Sequence, residues 1–179
     1  EFVKINIPDD DENGEPFTQE ELNMLWNNKN NDIVQFILVM IYSGFRIKAF
    51  ETIEINQEEQ YFKGGVKTQA GKNRIVPIHC SILPYAFNFN PAKFNAKVFR
   101  ANKFYFMLQN LGIDKTASGK KHTPHDCRHT FSWLCDRYKV DDLSKHLLMG
   151  HSLGGDVEKS VYGHRTIEEL RTEINKIKT

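Results

Sequence analysis

The stretch that decides the fold of this chain reads TPHDCRHTF at residues 123–131, followed by LLMGHS at 147–152 and VYGHRT at 161–166. The Thr-Pro pair at its start favours a helix N-terminus, and the aspartate two residues later complements the helix dipole. On such a helix His125 and Arg128 lie three residues apart and share a face. A helix N-terminus that presents an imidazole and a guanidinium together favours the binding of an anion, most simply a phosphate.

The surrounding sequence predicts a mainly α-helical domain with one small antiparallel β-sheet, an α+β fold. Thr18 and Glu21 form a capping box, and the apolar run at 31–42 predicts a buried helix that ends before a Ser-Gly pair. Residues 54–78 instead alternate in polarity and are interrupted by Gly and Asn, which favours short strands joined by turns. Further helices are predicted near residues 47–53, 91–110, 124–138, 141–149 and 166–176.

The composition is that of an ordinary soluble domain. The 179 residues are 40% apolar and 26% charged, which suffices for one hydrophobic core. No apolar run approaches the ~20 residues of a membrane span, and no signal peptide opens the chain. The three cysteines form no C-x-x-C pair, which favours reduced thiols and a cytoplasmic location.

Charge divides the chain into an acidic start and a basic body. We interpret residues 1–17 as an acidic linker or N-terminal extension and residues 18–179 as the folded domain. Residues 22–179 carry 23 basic and 15 acidic side chains, a net charge of about +8. A body of this charge permits a polyanionic partner without requiring one.

Four more residues stand where chemistry is possible, and each also has an ordinary structural explanation. Arg46 follows a glycine turn between two predicted helices, where an arginine often caps a helix or lies on the surface. Lys67 lies near the tip of a predicted hairpin, where lysines are normally solvated. His151 follows a helix end, where a cation suits the dipole, and Tyr162 is one of six tyrosines. None of them identifies a site by itself.

A metal site is the main alternative use of the histidines near position 125. His122, His125 and His129, together with Cys127, form a compact group in the sequence. On the predicted helix, however, Cys127 lies off the face that His125 and His129 share, and no CxxC pair or carboxylate completes a zinc site. We therefore predict no metal and no other cofactor.

Taken together and in order, these residues resemble the catalytic domain of the tyrosine recombinase (phage integrase) family. SGFRI at 43–47 resembles the family's first-arginine box, and KTQAGKNRIVPI at 67–78 resembles its lysine hairpin. HDCRHTF is close to the H-D-L-R-H-T box, with Cys127 in place of Leu. LLMGHS and VYGHRT match the second-histidine box and the nucleophile box. The resemblance covers nearly the whole chain from Thr18 onward, and five ordered boxes make it specific.

The sequence departs from the family pattern at two places. Ala49 stands where the family often has an acidic residue three positions after the first arginine, and the nearby Glu51 lies on another face. His151 and Tyr162 are eleven residues apart, a longer spacing than in chromosome-dimer-resolving members. That spacing resembles the integrases of phages and integrative elements.

The resemblance implies site-specific DNA recombination, such as integration or excision of a mobile element, through a 3′-phosphotyrosine intermediate. It carries six catalytic residues over to this sequence: Arg46, Lys67, His125, Arg128, His151 and Tyr162. The tyrosine would attack phosphorus, the first histidine would accept its proton, and the lysine would protonate the leaving 5′ oxygen. The two arginines and the second histidine would bind the non-bridging oxygens.

Basic side chains along the chain predict a surface for double-stranded DNA: Lys72, Arg74, Lys97, Arg100, Lys120 and Lys121. Each has a solvated side chain as its alternative, and most would contact phosphates rather than bases. The tail from Thr166 to Lys178 has an apolar stripe at helical spacing. That stripe packs either on its own domain or, as in relatives, on a neighbouring subunit of a tetramer. Accessory DNA-bending proteins are further candidate partners that the resemblance implies.

Two other functions remain open from the sequence. The fold could serve a catalytically silent DNA-binding or assembly module, or a type IB topoisomerase, which shares the chemistry. The presence of all six polar residues argues against the first, and the GHS box and short length argue against the second. We expect a bacterial cytoplasmic protein. Because the family's N-terminal DNA-binding domains are not in this sequence, we also expect the chain to recombine DNA poorly by itself.

Overall fold

The computed structural model describes residues 13–65, 73–151 and 165–179. The helices in these ranges are α1 (Gln19–Asn27), α2 (Asp32–Ser43), α3 (Leu83–Asn88), α4 (Ala96–Phe99), α5 (Tyr105–Asn110), α6 (His125–Arg137), α7 (Asp142–Met149) and α8 (Ile167–Ile174). The strands are β1 (Glu54–Asn56), β2 (Tyr61–Gly64) and β3 (Arg74–Pro77). The predicted fold class, mainly α with one small antiparallel sheet, is confirmed. Of the helices described, none has the length and apolar character to cross a membrane.

Local capping sets the bounds of the first two helices. The Thr18 hydroxyl accepts the backbone N–H of Glu21, and the Glu21 carboxylate accepts the N–H of Thr18, so the predicted capping box is confirmed. The side chain of Asn31 accepts two backbone N–H groups in the first turn of α2. Gly44 ends α2 in the left-handed conformation, with φ of 72°. This turn directs the chain toward Arg46.

The sheet has three antiparallel strands in the order β1-β2-β3. Phe62 of β2 lies opposite Ile55 on one side and Val76 on the other. Because Phe62 and Val76 are fully buried, one face of the sheet packs on the core. The sheet corresponds to the one predicted for residues 54–78. The expected turn at Ala70-Gly71 lies outside the described residues.

Helix α2 forms the centre of the hydrophobic core. Nearly every side chain from Val34 to Ser43 is buried, and α6 packs along this helix. Around Phe36 lie four aromatic rings with centroids 4.7–5.1 Å away, those of Phe50, Phe89, Phe94 and Phe99. The packing of α6 on α2 brings the helix that carries HDCR beside the glycine turn that carries Arg46.

The long helix predicted near residues 91–110 differs in the structure. A short 3₁₀ turn occupies Pro91–Lys93, and α4 begins only after Asn95, whose side chain accepts the N–H of Val98. A π-helical turn at Arg100–Phe104 then joins α4 to α5. The capping asparagine explains the later start, since it offers the first turn a better acceptor than the preceding residues.

The N-terminal segment, residues 13–17, crosses the first turns of α6. The N–H of Glu15 donates to Oδ1 of Asp126 (3.2 Å), and the N–H of Phe17 donates to the hydroxyl of Thr130 (2.9 Å). The Phe17 side chain is fully buried. Gly14 lies so close to His129 that a Cβ would stand 2.1 Å from its ring, so the crossing requires glycine. This end of the predicted acidic extension therefore packs on the domain.

The C-terminal helix α8 packs on its own domain. Leu170 and Ile174 are buried, as is Ile177 in the turn that follows. The carbonyl of Ile177 lies 2.7 Å from Nε2 of the buried His79. Arg171 donates to two backbone carbonyls in the β1–β2 turn. The apolar stripe of the tail is thus covered within one chain, the simpler of the two expected arrangements.

Candidate active site

The buried guanidinium of Arg128 joins three segments of the chain. Arg128 is 1% exposed, and its Nη1 donates to the carbonyl oxygen of Gly44 at 2.7 Å. Its Nη2 donates to the carbonyl of Met149 at 2.8 Å and lies 3.1 Å from Nε2 of His151. The first-arginine box, the HDCR helix and the second-histidine box therefore meet at one side chain.

The turn at Gly44 fixes the position of Arg46. Its φ of 72° favours glycine, and a Cβ there would stand 2.5 Å from the ring of Phe131 in α6. The close approach lets the Gly44 carbonyl reach Arg128. Arg46 follows two residues later in extended conformation and precedes the 3₁₀ helix Ile47–Glu51. Its backbone is therefore positioned by the same packing that seats α6 on α2.

The end of α7 places His151. Gly150 has φ of 68° and ends the helix in the left-handed conformation, as the sequence predicts. The next N–H, that of His151, donates back to the carbonyl of His146 at 3.0 Å. A guanidinium has only donors, so in the contact with Arg128 the Nε2 of His151 is the acceptor. The proton of a neutral His151 ring then resides on Nδ1.

A cavity of about 440 Å³ lies between the 3₁₀ helix after Arg46 and the start of α6. Its basic lining residues are Arg46, Lys48, Arg100 and His125, and no acidic residue is among the described residues that line it. His125 is the first residue of α6 and is half-buried. A pocket with this lining suits an anion. The sequence did not single out Lys48, although it lies two residues after Arg46 on the exposed side of the same box.

Arg74 of β3 is buried at 9% exposure, whereas the sequence placed it among side chains lining a duplex. Its Nε donates to the carbonyl of Leu148 at 2.9 Å, and its guanidinium carbon lies 4.0 Å from the centre of the Phe45 ring. Burial, and then the positive charges of Arg128 and Arg46, lower the pKa of Arg74 to about 9. Arg74 is inward-facing because its strand packs against α7.

A buried hydrogen-bonded triad supports the first turn of α6. The ring of His122 is fully buried, with Nδ1 2.8 Å from Asp126 and Nε2 2.7 Å from Glu21. Burial lowers the pKa of His122, but the hydrogen bond to Asp126 and the charge of Glu21 outweigh it and raise the pKa overall. The side chain of Phe17 stacks on the imidazole at 4.1 Å. The spacing of four residues between His122 and Asp126 is the one feature of the sequence that could have indicated their contact.

The carboxylate of Asp126 in this triad also binds the backbone just before α6. Thr123 does not cap α6 through its hydroxyl; instead Asp126 accepts the backbone N–H of Thr123 at 3.0 Å. The carboxylate is preferred because it also accepts from His122. Cys127 is fully buried in the core. Within residues 13–65, 73–151 and 165–179, no group of three or more His, Cys, Asp or Glu side chains could hold a metal ion.

The residues at the family's acidic position behave as ordinary structural groups. Ala49 is buried at 1% exposure. Glu51 pairs with Lys48 and accepts the N–H of Ala96 at the start of α4, and the bond from Lys48 is the main reason why its pKa is lowered. The carboxylate of Glu51 therefore serves to hold the start of α4.

The other predicted DNA-contacting residues that the structure describes are exposed. They are Lys97, Arg100, Lys120 and Lys121. Lys121 lies over the ring of Tyr105, 3.7 Å from its centre, which holds the basic loop at residues 114–122 against α5. Lys67, Lys72 and Tyr162 lie outside the described residues.

Comparison with known proteins reveals a likeness of structure. No protein-family model matches the chain, and no curated protein matches it. Its structure is similar to that of an integrase from mycobacterium phage Brujita, with a TM-score of 0.67 and 15% identity, over 92% of this chain and 58% of that one. It is similar to a XerA recombinase with a TM-score of 0.58 and 18% identity, over 88% and 61% of the two chains.

A third similar structure is that of a Tn1549 transposon integrase in complex with transposon right end DNA. The TM-score is 0.56 and the identity 18%, over 95% of this chain and 68% of that one. The chain spans less than two thirds of the phage integrase and of the XerA recombinase. At such identities the likeness concerns the fold, and the resemblance predicted from the sequence is confirmed at that level. The chain has the fold of the tyrosine recombinase catalytic domain.

Proposed function

We propose that this chain is the catalytic domain of a site-specific DNA recombinase that integrates or excises a mobile element. The observation that carries the proposal is the bonding of Arg128, which ties the Gly44 turn and the Met149 carbonyl to one guanidinium in contact with His151. Residues far apart in the sequence thereby surround one small region. The proposal is also supported by the cavity that Arg46 and His125 line together.

The proposed reaction exchanges one phosphodiester bond for another. The phenolic oxygen of Tyr162 bonds to phosphorus as the bond from phosphorus to the 5′ oxygen breaks, leaving a 3′-phosphotyrosine. The phenol gives its proton to His125, and the 5′ oxygen takes a proton from Lys67. Rejoining reverses the exchange of bonds at phosphorus and the two proton transfers. The energy of the phosphodiester bond is kept in the phosphotyrosine, so the reaction requires neither a metal nor a nucleotide. The assignments of Tyr162 and Lys67 rest on the sequence.

Arg46, Arg128 and His151 would supply positive charge and hydrogen bonds to the reacting phosphate. Negative charge gathers on the non-bridging oxygens in the transition state, and Arg46 and Arg128 offer planar, positively charged pairs of donors. Arg128 is held by the two backbone carbonyls, which fixes its orientation before substrate arrives. His151 adds a further donor once its Nε2 is released from Arg128 and carries the ring proton.

Double-stranded DNA is the proposed partner. The Tn1549 integrase of similar fold was solved with transposon right end DNA, and the exposed Lys97, Arg100, Lys120 and Lys121 give this chain a basic surface. Self-association on DNA through α8 remains part of the proposal; because its apolar face is covered by its own domain, exchange between subunits would first require release of the tail. Assistance by DNA-bending proteins and a bacterial cytoplasmic location are also predictions.

A covalent trapping experiment tests the function. Nicked duplexes tiled across the element that encodes the protein would be incubated with the wild type and with Tyr162→Phe. A nick beside the cleaved bond lets a short fragment diffuse away, so the covalent adduct accumulates. We expect an adduct at defined positions with the wild type and none with Tyr162→Phe.

Each other outcome would select a different function. Tight DNA binding without any adduct would favour a catalytically silent DNA-binding module. Relaxation of supercoiled plasmid without preferred positions would favour type IB topoisomerase activity. Equal labelling of both proteins would refute Tyr162 as nucleophile.

A further inference from the structure

The guanidinium of Arg74 is buried, as is that of Arg128, and the half-buried Arg46 is near enough for its charge to act on Arg74. The side chain of Arg74 is 9% exposed, lies against the Phe45 ring and donates to the Leu148 carbonyl. The charges of Arg128 and Arg46 both act on it. Three guanidiniums are thus close enough to repel one another in a region of low solvent exposure.

Such a grouping favours the binding of an anion. Burying a cation is unfavourable, and neighbouring like charges increase the cost. The same arrangement concentrates positive potential where a phosphodiester would bind. Bound phosphate would therefore stabilise the charged form of Arg74, and Arg74 would in turn stabilise the bound phosphate.

Arg74 also acts on the backbone that carries His151. Arg74 donates to the carbonyl of Leu148, and Arg128 donates to the next carbonyl, that of Met149. These two carbonyls belong to the last turn of α7, after which Gly150 turns the chain and His151 follows. Cations at a helix C-terminus complement its dipole. Two arginines from different elements thus hold the short piece of chain on which the second histidine depends.

We propose that Arg74 is a positioning residue of the phosphate site, which holds the end of α7 so that His151 faces the phosphate and supplies a third positive charge beside Arg46 and Arg128. This rests on the proposed function for its substrate, a DNA phosphodiester. It gives Arg74 a role different from that of the exposed basic residues. Those residues add affinity for DNA, whereas Arg74 acts at the reacting bond.

Two substitutions of Arg74 distinguish the effect of its positive charge from the effect of its hydrogen bond and ring contact. Arg74→Lys keeps the positive charge, but a single ammonium cannot both replace Nε at Leu148 and lie flat on Phe45. Arg74→Gln removes the charge as well. Arg171→Gln is a matched control, because Arg171 also donates to backbone carbonyls but does so in the β1–β2 turn, outside the site.

The experiment measures three quantities for each protein. Melting temperature reports folding, single-turnover cleavage of the trapped duplex reports the reaction, and the ¹⁵N shifts of the His151 ring report its position. We expect Arg74→Gln to slow cleavage by ~10²-fold, a typical cost of losing one donor or misplacing a group at a reacting centre. Arg74→Lys should be slowed less, and the His151 shifts should change in both variants. Arg171→Gln should cleave like the wild type with unchanged His151 shifts.

Results of two kinds would overturn the inference. One is a folded Arg74→Gln that cleaves within about twofold of the wild type, since the loss of a donor at the site costs far more. The other is a pair of folded variants whose His151 shifts match the wild type. If Arg74→Gln fails to fold, Arg74→Lys decides by the same two measurements. If the wild type itself forms no adduct, the proposed function fails, and the His151 shifts still test the positioning role.

Discussion

Arg128 and His151 are joined by a contact of 3.1 Å between Nη2 of the arginine and Nε2 of the imidazole. Because the guanidinium is always the donor, His151 Nε2 has no proton to offer a phosphate in this arrangement. Nε2 of His151 must both leave this partner and carry a proton before it can donate to a non-bridging oxygen. Donation by His151 Nε2 to a proposed DNA phosphate would therefore require this contact with Arg128 to break.

His151→Gln should retain the fold and lose most of the cleavage. The amide can still meet Arg128 but cannot take up a positive charge, so we expect a rate loss on the order of 10²-fold. Single-turnover cleavage of the trapped duplex measures it. If folded His151→Gln cleaved the duplex at the wild-type rate, His151 would have no role in the reaction.

Gly44→Ala should destabilise the domain more than Gly112→Ala. The two glycines have nearly the same φ, 72° and 71°, but a Cβ at Gly44 meets Phe131 at 2.5 Å whereas a Cβ at Gly112 meets nothing within 4 Å. Both substitutions place alanine in the left-handed region, which costs ~1–2 kcal/mol. Overpacking should add ~1–3 kcal/mol at Gly44 alone.

Urea unfolding measures both free energies of unfolding. The difference between the two variants isolates the contact with Phe131, because the backbone cost is shared. Equal losses at the two positions would show that α6 moves freely away from the turn. In that event Arg128 would not be held by Gly44 as tightly as the 2.7 Å bond indicates.

The triad around His122 should make stability depend on pH in a defined direction. The folded pKa of His122 is raised by Asp126 and Glu21 despite burial, above an unfolded value of ~6.5. Its stabilising contribution is therefore complete below pH ~6.5 and is lost as the pH rises through the raised pKa. The groups that face the ring are the two carboxylates and Phe17.

The measurement compares the wild type with His122→Gln by urea unfolding from pH 6 to pH 9. The difference in free energy of unfolding should be larger at pH 6 than at pH 9. Comparison of the two proteins removes the effect of His79, whose pKa is shifted the other way by burial. A difference that grows with pH would show that His122 is neutral in the folded domain.

Lys67→Ala should be rescued by a better leaving group. If Lys67 protonates the 5′ oxygen, its loss should slow cleavage on an ordinary duplex by ~10²-fold or more. A duplex with sulfur at the 5′ bridging position needs no proton, since a thiol has a far lower pKa than an alcohol. Cleavage of this duplex should be nearly equal in the two proteins. A persistent loss on the sulfur substrate would give Lys67 another role.

Much of the fold follows from local signals in the sequence. The capping box predicted at Thr18 is present, and a second capping box at Thr166 and the glycine that ends α7 also set helix bounds by short-range hydrogen bonds. The long helix was predicted less well. Its late start at Ala96 follows from capping by Asn95, a local signal that the prediction did not use, and its π-helical turn at Arg100–Phe104 was not predicted.

The side chains of the site were predicted from one helix face and from the order of the family's motifs, but most of their contacts were not. His125 and Arg128 share a helix, so their common face follows from the sequence. The burial of Arg74 does not, because it depends on β3 packing against α7, and the carbonyls that Arg128 binds come from residues 84 and 21 positions away. Long-range contacts of this kind, and the triad that joins Glu21 to His122, appear only with the fold.

The crossing of α6 by residues 13–17 has a mechanical consequence. Glu15 and Phe17 are anchored by backbone N–H groups to the same helix that presents His125 and Arg128. Tension applied to the chain ahead of Asn13 would therefore act directly on that helix. A domain fused there would therefore pull on the helix that carries two residues of the proposed phosphate site.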